Sequence, residues 1–180
     1  MNKNELIEYL DRLSQKSNDE WMNSLNKRKL EELQFHNRDR DQDSVERLDK
    51  DTYEALHGNK KFYKTVQLVR QYTQNWIHTK SKDKIFLDYA CGNGGNAMLA
   101  AKAGAALAIG LDISNVSVMN ARRFASEQGV STNTYFLQGD CENTGLPDEC
   151  IDVCICSGML HHLDLSYAFY ELRRILKRGG

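Results

Sequence analysis

From residue 84 onward the chain alternates short apolar runs with helical stretches and glycine-bearing turns, and this alternation restricts the fold more than any other feature. The apolar runs have strand length, and the stretches between them are long enough for crossover helices. Such βαβ units predict a parallel sheet with helices packed on its faces. Strands are expected at 84–88, 108–112, 134–137 and 151–157, with helices at about 96–103, 114–127 and 165–177. Ser114 is placed to cap the second of these helices. Before residue 84 the pattern is helical and polar, which divides the chain into a helical extension, 1–83, and an α/β core, 84–180.

In the extension, Leu6, Leu10 and Leu13 recur at helical spacing. Ser17 with Glu20 three residues later is a capping-box signature, followed by Trp21, Leu25, Leu30 and Leu33. The polar run HNRDRDQDS, 36–44, reads as a break. A further amphipathic helix is expected around the stripe Phe62, Val66, Val69, Thr73 and Trp76. Residues 57–84 hold seven Lys/Arg and one acid, Asp83, and read as a solvated helix face.

Bulk composition narrows the partners. With 24 Lys+Arg against 25 Asp+Glu, the chain has no overall pull toward nucleic acid or a membrane surface. The basic stretch lacks the interleaved aromatics of single-strand readers, so nucleic acid is not expected as a partner. No apolar run reaches the roughly 18 residues of a membrane span. The N-terminus MNKNELIEYLDRL is too charged for a secretory leader. Five cysteines, an odd number, then point to reduced thiols and a cytoplasmic location.

The segment IFLDYACGNGG, 85–95, carries the chemistry. It ends a strand on an acid and then places three glycines within four residues. Glycine tolerates positive φ and lets a ligand approach the backbone. The following helix directs its N-terminal amides at the same space, at the carboxyl end of the sheet. Gly92, Gly94 and Ala97 also fit the dinucleotide fingerprint, with Asp112 ending the next strand where an acid grips ribose hydroxyls. Asp88, however, would repel a pyrophosphate and attract a cationic ligand. A third acid, Asp140, follows strand 3 in FLQGDCEN. Three acids at successive strand ends suit a ligand with an amine, a ribose diol and an adenine, and no phosphate.

S-adenosyl-L-methionine meets that description. Residues 85–180 resemble the first two-thirds of a class I S-adenosylmethionine-dependent methyltransferase of the small-molecule type. The matching stretches are IFLDYACGNGG, AIGLDIS, FLQGDCENTGLPDECIDVCICSGMLHHL and YELRRILKRGG, in the family's order and spacing. The resemblance implies a Rossmann-like doubly wound sheet of order 3-2-1-4. It implies that Asp88 lies by the methionine moiety, that Ala90, Gly92 and Gly94 form the loop beside it, and that Asp112 takes the ribose hydroxyls with Ile113 against the adenine. Asp140 would accept from the adenine amino group, the Cys141 amide would meet a ring nitrogen, and Ser157 would open the lining near the transferred methyl. Ala90 departs from the family's usual glycine: a methyl fits there at negative φ but crowds the ligand. Family members continue past Gly179-Gly180 with three more strands, so the core reads as C-terminally incomplete. Its fourth strand would be an open edge that a partner chain or a second copy could cover.

No catalytic residue stands out; His36, His161 and His162 are the candidates for a general base. No metal is expected, since no C-x-x-C pair occurs and Cys154 and Cys156 read as buried small hydrophobes in a strand. Asp152 reads as structural, and Tyr53 and Tyr63 cannot be ranked. The expected reaction is methyl transfer to an O, N or C nucleophile of a small molecule. The alternatives are a non-catalytic partner subunit with this fold and a nicotinamide oxidoreductase, the latter disfavoured by Asp88 and Asp140.

Overall fold

The computed structural model describes residues 2–41, 45–58 and 66–180, apart from the side chains of 55–57. Phe62 and Tyr63 lie outside the described residues. The chain opens with α1 (Lys3–Leu13), α2 (Asn18–Ser24) and α3 (Lys27–Arg40), followed by α4 (Lys50–His57) and α5 (Gln67–Lys80). The Ser17–Glu20 capping box is present and starts α2. That helix stops at Ser24, and Asn26 caps a new one by accepting from the Lys29 amide at 3.0 Å. The expected break at 36–44 is corrected over 36–40, 42–44 lying outside the described residues: α3 runs on to Arg40, where Asn37 and the Arg40 carbonyl meet partners on the core. The expected stripe on α5 is corrected as well. Trp76 of that stripe packs against the core as expected, but Val66 and Val69 are exposed, and Ile77, off the stripe, is the buried residue.

Four parallel strands follow in the order β3-β2-β1-β4: β1 (Ile85–Tyr89), β2 (Leu107–Asp112), β3 (Thr134–Gln138) and β4 (Val153–Cys156). Their connections carry α6 (Gly95–Lys102), α7 (Asn115–Glu127) and α8 (Leu165–Ile175). This is the expected Rossmann-like arrangement. Every residue of β1 and β2 is buried, as a parallel sheet covered on both faces requires.

Two cores sandwich the sheet. On one face Leu6 and Leu10 of α1 join Leu87, Tyr89, Ile109, Leu111 and Leu137, with Leu172 and Ile175 of α8. On the other, Ile77 of α5 and the alanines of α6 and α7 meet Phe86, Ala108 and Phe136. Small helix residues permit close approach here, and the backbone takes part. A Cβ on Gly110 would stand 2.5 Å from the Phe136 ring. The helical extension is fastened to the core at several points: the Tyr9 hydroxyl donates to the Gly145 carbonyl at 2.8 Å, and the Tyr135 hydroxyl to Asp11 at 2.8 Å.

β4 lies at the sheet edge and is only half-buried. Cys154 and Cys156 are therefore half-buried rather than enclosed, on one face of the strand with sulfurs 3.9 Å apart. Beyond it, α8 exposes Tyr167, Phe169 and Tyr170. Asp152 is structural, as expected. It accepts from the Ile85 amide and the Lys177 ammonium, each at 2.8 Å.

Candidate functional site

A cavity opens at the carboxyl ends of the strands, roofed by α3. It brings together Ala90, Gly92, Asp112, Ile113, Asp140, Cys141 and Ser157, with His36 and His162, all of them singled out by the sequence. Asp88, Gly94 and His161 are not among its lining residues.

The turn after β1 sets the floor. Ala90 has φ +58°, not the negative angle at which an alanine methyl fits without strain, and Gly92 follows at +52°. Gly94, at φ +79°, starts α6; a Cβ there would press within 2.5 Å of Phe136, so this glycine answers to packing. Asp88 is buried behind the turn. It accepts from the Ala97 amide at 3.2 Å and the Asn96 side chain at 3.3 Å, which ties β1 to the first turn of α6. Burial pushes its pKa up to about 7 against the pull of those two donors.

Asp112 holds the turn from the other side. One carboxylate oxygen accepts from the Gly92 amide at 2.7 Å, the other from the Ser114 amide at 2.9 Å. Burial raises its pKa, and the two amides, His36 and Arg40 oppose that rise. Asp140 ends the third wall. It accepts from the Glu142 amide at 2.8 Å and from the Lys29 ammonium at 2.5 Å. Lys29 also meets Glu142 at 2.9 Å, and Arg28 pairs with the same carboxylate. Burial disfavours the Glu142 charge, but the Asp164 amide, Lys29 and Arg28 outweigh it and hold the pKa low.

Of the roof residues, the sequence reading named only His36. Arg28, Glu32, His36 and Arg40 stand four residues apart along α3 and all line the cavity. That spacing puts them on one helix stripe, and it is the signal that could have joined Arg28 and Glu32 to His36 and to Arg40 inside the run taken for a break. Beside the stripe, Asn37 locks α3 to the start of α7: it accepts from the Ser114 hydroxyl at 2.6 Å and donates to Asn115 at 2.7 Å. Glu32 faces both His36, at 3.4 Å, and His162, at 3.1 Å. Burial pushes the His36 imidazole down, keeping it neutral near pH 7.

Comparison with known proteins agrees with this geometry. The sequence profile described as a methyltransferase domain matches residues 87–180. A sterol 24-C-methyltransferase of Aspergillus fumigatus is 31% identical over 120 residues, covering 66% of this chain and 32% of that protein. Protein arginine N-methyltransferase 1 of Saccharomyces cerevisiae is 39% identical over 103 residues, covering 55% of this chain and 29% of that one. Among solved structures, a putative S-adenosyl-L-methionine-dependent methyltransferase from Methanococcus maripaludis superposes with a TM-score of 0.57 at 25% identity, over 61% of this chain and 51% of that one. The chain spans about a third of the length of the curated relatives it matches. The matched profile takes in more than half of the chain, including most of β1, all of β2, β3 and β4, and the positions of Ala90, Asp112 and Asp140, and on that ground the chain belongs to the methyltransferase domain family.

Proposed function

We propose that this chain binds S-adenosylmethionine in the cavity under α3 and serves methyl transfer to an O, N or C nucleophile of a small molecule. The observation that carries the reading is the convergence of Asp112, Asp140 and the Ala90–Gly92 turn on one cavity. The residues suit such a ligand. A carboxylate offers about four lone-pair positions, and Asp112 and Asp140 each spend two on the donors named above. Both keep acceptor capacity for a diol or an exocyclic amine. Ile113, Met159 and Leu163 supply apolar wall.

The bound cofactor supplies a methyl group already activated as a sulfonium. The protein's work is to hold donor and acceptor in line and keep water out. Asp112 and the turn it braces fix the position of the sugar. The α3 roof closes the space above, and Ser157 and His162 face the same cavity at its acceptor end. His36 supplies a neutral imidazole nitrogen beside that space, which a hydroxyl acceptor would need and an amine would not. The concave shape favours a small acceptor over a folded protein surface. The relatives act, by their names, on a sterol and on protein arginine.

Calorimetric titration with S-adenosylhomocysteine tests the reading. Saturable binding is expected, and Asp112→Ala should weaken it by about 1–3 kcal/mol, or roughly 5- to 150-fold. Binding of NAD in place of S-adenosylhomocysteine, or an Asp112→Ala variant with unchanged affinity, would overturn it.

A further inference from the structure

We propose that Glu32, His36 and His162 form a site for a divalent transition-metal ion of the zinc or cobalt kind, which fastens α3 to the turn after β4. This goes beyond cofactor binding and departs from the expectation that the chain takes no metal.

Glu32 and His36 are one turn apart on α3, so their side chains leave the same face. His162 arrives from a different part of the chain, the short 3-10 turn Leu160–His162. The Glu32 Oε2 atom lies 3.4 Å from His36 Nε2 and 3.1 Å from His162 Nδ1. The three donor atoms all fall within 4.8 Å of one another. Ligand atoms on a tetrahedral zinc, with bonds of about 2.0–2.1 Å, stand roughly 3.4 Å apart. Two of the three edges are already close to that length, and the third is no longer than 4.8 Å. Two imidazoles with one carboxylate favour borderline transition metals over magnesium or calcium, which take oxygen. Glu32, His36 and His162 all line the cavity. The positions left open on the ion would therefore face the proposed acceptor end, where an ion with an exchangeable position polarises an oxygen.

The surroundings support the donor set. Arg28 donates to the His162 carbonyl at 2.7 Å, fixing the backbone that carries the ring. The His161 ring lies beside that of His162, with centroids 4.0 Å apart, yet its nitrogens stand outside the cluster. His161 is thus an internal control.

The test uses the untagged, chelator-stripped full chain. Cobalt(II) is titrated and followed by visible absorption, with zinc(II) as competitor in calorimetry. One equivalent is expected, with the intense visible bands of a low-coordinate ion. His36→Gln, His162→Gln and Glu32→Gln should each reduce affinity by more than the roughly 10–100-fold lost with an outer hydrogen-bond partner. His161→Gln should leave it unchanged. Where a variant fails to fold, imidazole NMR on the wild-type chain decides. Zinc should shift the His36 and His162 ring signals and leave that of His78, exposed on α5, in place. Absence of stoichiometric binding, equal affinity in the His36→Gln/His162→Gln double variant, or shifts confined to the other histidines would overturn the proposal. S-adenosylhomocysteine binding, measured separately, bears on the cofactor reading alone.

Discussion

Ala90 occupies a left-handed backbone position at φ +58°, beside the space expected to hold ligand. An L-residue there costs about 1–2 kcal/mol relative to right-handed backbone, and glycine costs about 0.4–1 kcal/mol in unfolded-chain entropy. Ala90→Gly should therefore stabilise the chain by up to about 1 kcal/mol in urea titrations, in spite of the extra freedom it gives the unfolded state. Asp88 sets a second residue-scale prediction. Its folded pKa of about 7 stands above the unfolded value of 3.8. Between those values the native chain holds a proton that the unfolded chain has lost, so stability is full below the window and falls as pH rises through it. The slope at its steepest is about 1.4 kcal/mol per pH unit. Asp88→Asn should flatten that decline, and parallel pH–stability curves for wild type and variant would refute the assignment.

At the scale of the element, α3 is held to the core by buried Leu33, by the Asn37 hydrogen bonds and by charge. Lys29 bridges Asp140 and Glu142, and Arg28 reinforces Glu142. Replacing Lys29 with Met leaves two carboxylates short of a donor inside the cavity wall, and should loosen the helix by about 1–3 kcal/mol. Amide hydrogen exchange should quicken in α3 and not in β1 or β2. Glu142 adds a pH dependence of opposite sense to that of Asp88. Its folded pKa lies below the ordinary 4.5, so its contribution is present above that value and is lost as pH falls through the lowered one. The strands and crossover helices were legible in the sequence to within about two residues, because apolar runs and glycine turns are local signals. The span of β4 was overread, since Ile151 and Asp152 are apolar and acidic anchors outside the ladder: Ile151 bridges to Leu176. The roof was illegible for a physical reason. Arg28, Lys29, Glu32 and Asn37 look like solvated residues until the acids and amides more than a hundred positions away, or on α7, are placed opposite them.

Across the whole molecule, the parallel sheet brings the ends of three strands to one cavity, and the N-terminal helices close it from outside the α/β unit. The same carboxylate that would receive an adenine amine, Asp140, already receives Lys29. Likewise Ser114, next to the acid expected to hold the sugar, is bonded to Asn37 of the roof. Occupancy of the pocket and seating of its cover thus draw on overlapping polar groups. The kinetic consequence is a gate: in stopped-flow mixing, the observed association rate should stop rising at high ligand concentration and level off at the frequency with which α3 lifts. Lys29→Met should raise that plateau, because it removes the ammonium that ties α3 to Asp140 and Glu142.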